Sequence, residues 1–195
     1  MRSPLVKVAF VLLALHVSLL RAPEASAQGG VCTLNAGQSP RLRGLRLGMT
    51  AAQLGERYPR LPALRADEFG QVKTSFGGLQ DIDGAAFEGV ESVELNFVDD
   101  RLVGFALHYK GVPFDSMEQF MAQLRESLKL PGAWVGEGYA PRKLTCEGFE
   151  MQAGASSYGV HWMTPYLRLS EPRAEEVVAR RAEEKRERAR RAFKP

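Results

Sequence analysis

Histidine is the side chain best suited to acid–base catalysis near neutral pH. Beyond residue 27 the sequence contains two histidines, His108 and His161. By alternation, His108 lies on the water-facing side of a predicted strand, whereas His161 stands next to Trp162. Hydrolysis by covalent catalysis needs a nucleophile beside such a base. Neither histidine adjoins a serine or cysteine nucleophile motif, and no Gly-x-Ser-x-Gly motif occurs. We therefore predict no catalytic residue unless the fold gathers one of these histidines with carboxylates in a pocket.

The acidic stretch Asp81-Ile82-Asp83-Gly84, with Glu88 downstream, is the one pattern that suggests a cation. Against a calcium loop it lacks the third oxygen ligand and the terminal bidentate glutamate. Asp and Gly in this order are typical of a turn. We expect a turn here, and we predict no metal and no cofactor for the chain.

Basic residues concentrate at 173–195, where nine Lys and Arg stand against five Glu and leave 28–172 at a net charge of −3. Such a tail could touch an anionic membrane surface, an anionic polymer or an acidic partner. It could equally be a solvated helix with Glu–Arg pairs four residues apart. The candidate interaction surface comprises Arg186, Arg188, Arg190, Arg191 and Lys194.

An export signal is the clearest feature of the first 27 residues. Arg2 and Lys7 precede the mostly apolar run 8–20, and Ala25-Ser26-Ala27 fits a signal-peptidase site before Gln28. The run is shorter than the roughly 20 residues of a membrane span. We expect a periplasmic or secreted protein, and this compartment argues against nucleic acid as a partner.

Two cysteines, Cys32 and Cys146, lie beyond the signal segment. In an oxidising compartment an even pair predicts a disulfide, which would close a long loop. A lipid anchor on Cys32, although residues 28–31 fit a lipidation site poorly, and two free thiols are the alternatives. A metal site is disfavoured because no Cys or His neighbours either cysteine at ligand spacing.

Two helices and a hairpin are the strongest structural signals. Thr50-x-x-Gln53 is a capping box for a short helix that ends at Pro59. Alternation over 93–97 and 103–109, with a turn at 98–101, predicts an antiparallel ribbon with one buried and one wet face. The buried face would carry these side chains: Val93, Leu95, Phe97, Val103, Phe105, Leu107 and Tyr109. A second helix over 115–130 carries a continuous apolar stripe.

Further strands are predicted at 74–79, 144–153, 158–163 and 166–169, with a break or an edge position at Pro165. A helix over 173–192 has few apolar residues, so we expect it to project or to dock only through its first two turns.

These elements predict an α+β fold: an antiparallel sheet with two amphipathic helices packed on one face, plus a charged C-terminal helix. We expect a signal peptide at 1–27, a single domain at 28–172 and a basic helical tail at 173–195. The element order also suggests a duplicated α-β-β unit, at 44–110 and 114–170.

The stretch 44–59 reads GLRLGMTAAQLGERYP, an apolar segment followed by Gly-Met-Thr and a short capped helix. It resembles the first helix of the SmpA/OmlA (BamE-type) outer-membrane assembly lipoproteins and of the beta-lactamase-inhibitor-like proteins. The resemblance implies helices packed against an antiparallel sheet and a non-catalytic, protein-binding role. Gly48, Met49 and Thr50 match as structural positions.

Taken together, the sequence predicts an exported, non-catalytic protein-binding or scaffold domain of the bacterial cell envelope, whose partner is an envelope protein. The contact surfaces would be the exposed sheet face or edge and the basic tail. An inhibitor or small-ligand binder using a concave sheet, and an envelope hydrolase with a dispersed site, are the alternatives. Aromatic side chains that could serve either core or interface are Trp134, Tyr139, Tyr158, Trp162 and Tyr166.

Overall fold

The computed structural model describes residues 31–77, 80–110, 114–138, 140–157 and 163–193. The predicted signal segment lies outside this part of the chain. So do five residues named above as candidates: Tyr139, Tyr158, His161, Trp162 and Lys194.

The chain forms two successive groups, each of which begins with a helix and contributes three strands, followed by a long helix. The first group comprises α1 (Ala51–Arg57), β1 (Gln71–Gly77), the one-turn helix α2 (Gln80–Asp83), β2 (Val90–Val98) and β3 (Arg101–Tyr109). The second comprises α3 (Met117–Leu128), β4 (Arg142–Thr145), β5 (Glu150–Ser157) and β6 (Met163–Ser170). Helix α4 then spans Pro172–Ala192.

All six strands join one antiparallel sheet in the order β1-β2-β3-β6-β5-β4. The last strand of each group therefore lies at the centre, and the first strand of each group lies at an edge. The α+β class is confirmed. The order is symmetric about the β3–β6 pair, with three strands rather than two in each group, and the duplication itself stays a prediction.

Helices α1 and α3 contribute to one hydrophobic core with the sheet. Leu54 of α1 is 1% exposed, and α3 buries Met117, Phe120, Met121 and Leu124. The facing sheet residues alternate along the strands, as in Leu95 and Phe97 of β2 and Leu167 and Leu169 of β6. Ser116 caps α3 by accepting a hydrogen bond from the Gln119 amide, so this helix begins two residues later than predicted.

One predicted alternation is wrong at the start of β3. Phe97 pairs with Leu102 but Asn96 pairs with Gly104, so Val103 is an extra residue in the strand. A bulge shifts the side-chain phase by one residue. Leu102 therefore faces the main core, while Val103 lies in a separate cluster with Val98, Ala174 and, partly buried, Val178.

The predicted strand 144–153 is in fact two strands, because the chain turns between Cys146 and Phe149, where the Cys146 amide donates to the Phe149 carbonyl. The predicted strand at 74–79 is β1, which begins earlier, at Gln71. The Asp83 region is the end of α2, and the Asp83 carboxylate accepts a hydrogen bond from the Ala86 amide.

Pro165 does not break its strand, because β6 runs continuously through it. It pairs with Ala155 of β5, whereas the ladder with β3 ends one residue away, at His108–Tyr166. A proline has no amide hydrogen to give to a ladder. Pro165 therefore lies at an unpaired edge on the side that faces β3, as predicted. The predicted break in the strand is wrong.

Candidate functional site

The sheet face opposite α1 and α3 is polar and open. Strand register aligns its side chains in rows across the strands, and one row runs Ser75, Glu94, Ala106, Arg168 and Gln152. Small residues on the central strand leave a depression between polar walls. The face is therefore a recognition surface that the fold positions without using core residues.

A groove of about 430 Å³ runs over this depression. Gly104 and Ala106 of β3 form its floor, and α4 closes one end with Glu175. Its polar walls are Lys73, Ser75, Glu94, Asn96, Arg168 and Ser170. The groove is thus lined by donors and acceptors of both charge signs, together with a comparable area of apolar surface.

Glu94 is the centre of a charged network on this face. One carboxylate oxygen lies 3.2 Å from Nε2 of His108, and the other accepts a hydrogen bond of 3.2 Å from the Arg168 guanidinium. Arg168 stands two strands away, so its side chain must cross above Ala106 to reach Glu94. The small side chain at position 106 is what makes this crossing possible.

Tyr166, which pairs with His108 across β3 and β6, adds an aromatic ring to this network. Its ring centroid lies 5.8 Å from that of His108, and its ring covers Gly154 on β5 so closely that a Cβ there would meet the ring at 2.6 Å. The side chain of His108 is 24% exposed to solvent. The imidazole is therefore accessible but held by neighbours on both sides.

This arrangement does bring a histidine together with a carboxylate, which the sequence alone did not predict for His108. The hydrogen bond at Nε2 to Glu94 resembles the orienting contact of a general base. Glu94 is also neutralised by Arg168, which makes the trio equally suited to fixing charged side chains of a partner. Within the described residues, no cluster of three or more His, Cys, Asp and Glu could hold a metal ion.

The predicted disulfide between Cys32 and Cys146 is present, and both residues are buried. It closes a separation of 114 residues. Next to it, the Glu147 amide donates to the Cys32 carbonyl and the Gly148 amide to the Leu34 carbonyl, both at 3.0 Å. The segment at 32–34 is therefore held against the β4–β5 turn by hydrogen bonds as well as by the disulfide.

Gly48, Met49 and Thr50 have a structural role. The Gly48 amide donates to the Leu102 carbonyl and the Leu102 amide to the Met49 carbonyl, both at 2.8 Å. Thr50 forms the predicted capping box with Gln53. The motif therefore starts α1 and fastens it to the beginning of β3.

Helix α4 docks further than predicted. Beyond Ala174 and Val178, the Arg181 guanidinium donates to both carboxylate oxygens of Asp99, at 2.8 and 2.7 Å, and to the Phe69 carbonyl. Lys185 then pairs with Glu68. The hydrogen bond from Arg181 lowers the pKa of Asp99 below its ordinary value of 3.8, and the same bond raises the pKa of Arg181. About three and a half turns, rather than two, are fastened to the sheet.

The candidate residues of the basic tail that the structure describes all lie past this docked part. Arg186, Arg188, Arg190 and Arg191 are exposed on the last turns of α4. Arg186, Arg190 and Arg191 form ion pairs with Glu183 and Glu187 of the same helix, and Arg188 donates to the Glu184 carbonyl. Of the predicted pairs four residues apart, Glu187–Arg191 is present at 3.7 Å. None of the described helices is long and apolar enough to cross a bilayer.

The comparisons with known proteins return no match: no protein-family model, no curated protein and no solved structure is similar to this chain.

Proposed function

We propose that this chain is an exported, non-catalytic protein-binding domain of the bacterial cell envelope, and that it binds an envelope protein through its open sheet face. The observation that carries the proposal is the polar groove over Gly104 and Ala106, crossed by the Glu94–Arg168 pair. Export is supported by the signal-like residues 1–27 and by a disulfide that suits an oxidising compartment.

The character of the groove favours a protein partner over a small ligand. Small-molecule sites are mostly apolar and enclose their ligand, whereas this groove is open and has charged side chains on its walls. Glu94 and Arg168 each keep nearly half of their side-chain exposure, at 47% and 49%. Such charges set the orientation and the specificity of protein association, and arginine is enriched among residues that dominate binding energy.

The test is site-specific photocrosslinking in the intact envelope. We would place a photoreactive residue at Ser75, which is exposed at the groove wall, and as a matched control at Gln123, which is exposed on α3. We expect one discrete adduct from position 75 that excess unlabelled protein competes away, and none from position 123. Arg168→Ala should weaken the adduct about thirtyfold, the effect of losing roughly 2 kcal/mol at a dominant contact.

Equal adducts from both positions, or an adduct insensitive to Arg168→Ala, would place binding elsewhere on the molecule. If neither position yields an adduct in any envelope preparation, the protein-binding function is wrong. Fractionation and N-terminal sequencing test the export component separately, since we expect a periplasmic or secreted protein that begins at Gln28.

An envelope hydrolase is the second candidate, and one contact favours it: His108 lies 3.2 Å from Glu94 on an open face. A histidine acting as a general base contributes on the order of a hundredfold or more in rate. Any hydrolytic activity detected on envelope polymers or esters should therefore fall at least that far in His108→Gln. An activity that survives this substitution would have another source.

A further inference from the structure

The end of α4, which we define as residues 186–193, extends past the contacts that fasten the helix to the sheet. Docking runs through Ala174, Val178 and Arg181 and reaches Lys185, whose amine pairs with Glu68 and lies 5.6 Å from the centroid of the Phe69 ring. At 1.5 Å per residue, the following eight residues reach roughly 12 Å further. Glu187 is the one residue of the α4 end that is half-buried, and the others are exposed.

Charge and one aromatic residue distinguish the α4 end. It carries four arginines and one glutamate, and Phe193 at its tip is 76% exposed. The Phe193 amide donates to the carbonyls of Ala189 and Arg190, so the last turn remains ordered around this side chain. An exposed aromatic ring next to clustered cations is the composition of a segment that lies in a membrane interface.

The internal ion pairs of the α4 end do not compete strongly with an external anion. Glu183 and Glu187 contact three of the four arginines at 3.3–3.9 Å, and all of these paired side chains are about half exposed or more. Exposed pairs of this kind contribute little and are screened by salt. The guanidinium groups can therefore turn toward phosphate while keeping the helix intact.

The distribution of the arginines around the helix decides which kind of partner fits. Successive residues lie about 100° apart, so Arg186 and Arg190 point to one side of the helix, whereas Arg188 and Arg191 point together to another side. A protein groove would require its contacts on one face. Two arginine pairs on different sides of the helix, with an aromatic tip, instead suit a surface of many equivalent phosphates that the helix reaches end-on.

We propose that the α4 end binds the surface of an anionic lipid bilayer, with its arginines on lipid phosphates and Phe193 among the headgroups. The binding is peripheral, since the α4 end has one large apolar side chain and cannot insert. This site is separate from the sheet face, so a failure of either proposal leaves the other standing. Membrane binding at this site would hold the sheet near the bilayer.

The experiment measures binding to vesicles of one-third phosphatidylglycerol in phosphatidylcholine, with pure phosphatidylcholine vesicles as the reference. Residues 1–27 are removed because their apolar run would bind lipid by itself. Each cation near an anionic surface contributes about fivefold in affinity. The variant Arg188→Gln/Arg190→Gln/Arg191→Gln should therefore bind about a hundredfold more weakly, and glutamine preserves the helix because its propensity equals that of arginine.

A matched variant controls for net charge. Arg41→Gln/Arg65→Gln/Arg125→Gln removes three exposed arginines from the body, and we expect its affinity to change by no more than about twofold. Phe193→Ser should weaken binding without changing its salt dependence, whereas the arginine variant should flatten that dependence. No binding to phosphatidylglycerol vesicles, or an equal loss in the body variant, overturns the proposal. So does a result in which an acidic protein binds the α4 end while vesicles do not.

Discussion

At the residue scale, Gly48 shows how one position can carry a structural motif. Its φ is +85°, and its amide hydrogen bond to Leu102 fixes it there. Side chains with a Cβ rarely adopt this left-handed conformation, whereas glycine adopts it readily. The Gly-Met-Thr pattern is therefore explained by backbone geometry and capping, with no need for a ligand.

A pair of glycine substitutions tests this account. Gly48→Ala should lower the free energy of unfolding by about 1–2 kcal/mol, the strain of a left-handed alanine. Gly55→Ala, in the middle of α1, should raise it by about 0.5–1 kcal/mol. A Cβ at position 55 would meet no other atom within 4 Å. Urea denaturation of both variants measures the difference, and equal effects of the same sign would contradict the assigned role of Gly48.

Gly154 and Gly104 form a second pair, on the open face. A Cβ on Gly154 would overlap the Tyr166 ring, whereas one on Gly104 would meet the nearest atom at 3.4 Å. We expect Gly154→Ala to cost about 1–3 kcal/mol, as overpacking does, and to move Tyr166 away from His108. Gly104→Ala should be near neutral. Thermal unfolding and the tyrosine NMR signals report both effects, and an unmoved Tyr166 in Gly154→Ala would refute the packing argument.

The candidate site was partly readable from the sequence. Alternation alone places His108 on the wet face of the hairpin. The participation of Arg168 could not be predicted, because it depends on β6 pairing with the distant strand β3 in addition to its chain neighbour β5. Its contact with Glu94 depends further on the small side chain of Ala106 between them.

At the scale of elements, local signals predicted helices better than strands. The capping box at Thr50 and the stripe of α3 were confirmed, because helix signals are local in the chain. The bulge at Val103 was missed, since the apolar residues of the sequence alternate without interruption over 103–109. Pro165 was wrongly predicted to break the strand. A strand can contain a proline where the neighbouring strand has already ended, and the sequence does not show where β3 ends.

The docking of α4 makes a pH-dependent prediction. Because Arg181 lowers the pKa of Asp99, the pair stabilises the docked helix at any pH above the ordinary value of 3.8. The contribution is lost as the pH falls through the lower pKa of the docked state. At about pH 6, Asp99→Asn should therefore speed amide exchange over residues 174–185 relative to the native chain.

This difference should shrink below the ordinary pKa of aspartate and vanish once the docked carboxylate is protonated. Asp115→Asn is the control, because Asp115 is exposed at the start of α3, on another element. A difference between Asp99→Asn and the native chain that persists at the lowest pH would show that the Arg181–Asp99 pair does not hold the helix.

At the scale of the whole molecule, the two groups of strands meet at β3 and β6, and the segment before α1 links them a second time. Cys32 is joined to the β4–β5 turn of the second group, whereas Leu45 and Leu47 lie in the core and Gly48 binds β3 of the first. The disulfide therefore tethers a segment that spans both groups.

Removing the disulfide should cost much of the stability of the domain. For a separation of 114 residues, the chain-entropy estimate is about 4–5 kcal/mol, against a typical total of about 5–15 kcal/mol. We expect Cys32→Ala/Cys146→Ala to lower the urea midpoint accordingly, and the reduced native chain to match it. The same substitution should speed amide exchange at Glu147 and Gly148, because these amides donate to carbonyls of the segment 32–34 that the disulfide no longer holds. A loss below about 1 kcal/mol with unchanged exchange would mean that backbone pairing and the core alone hold residues 32–34 in place.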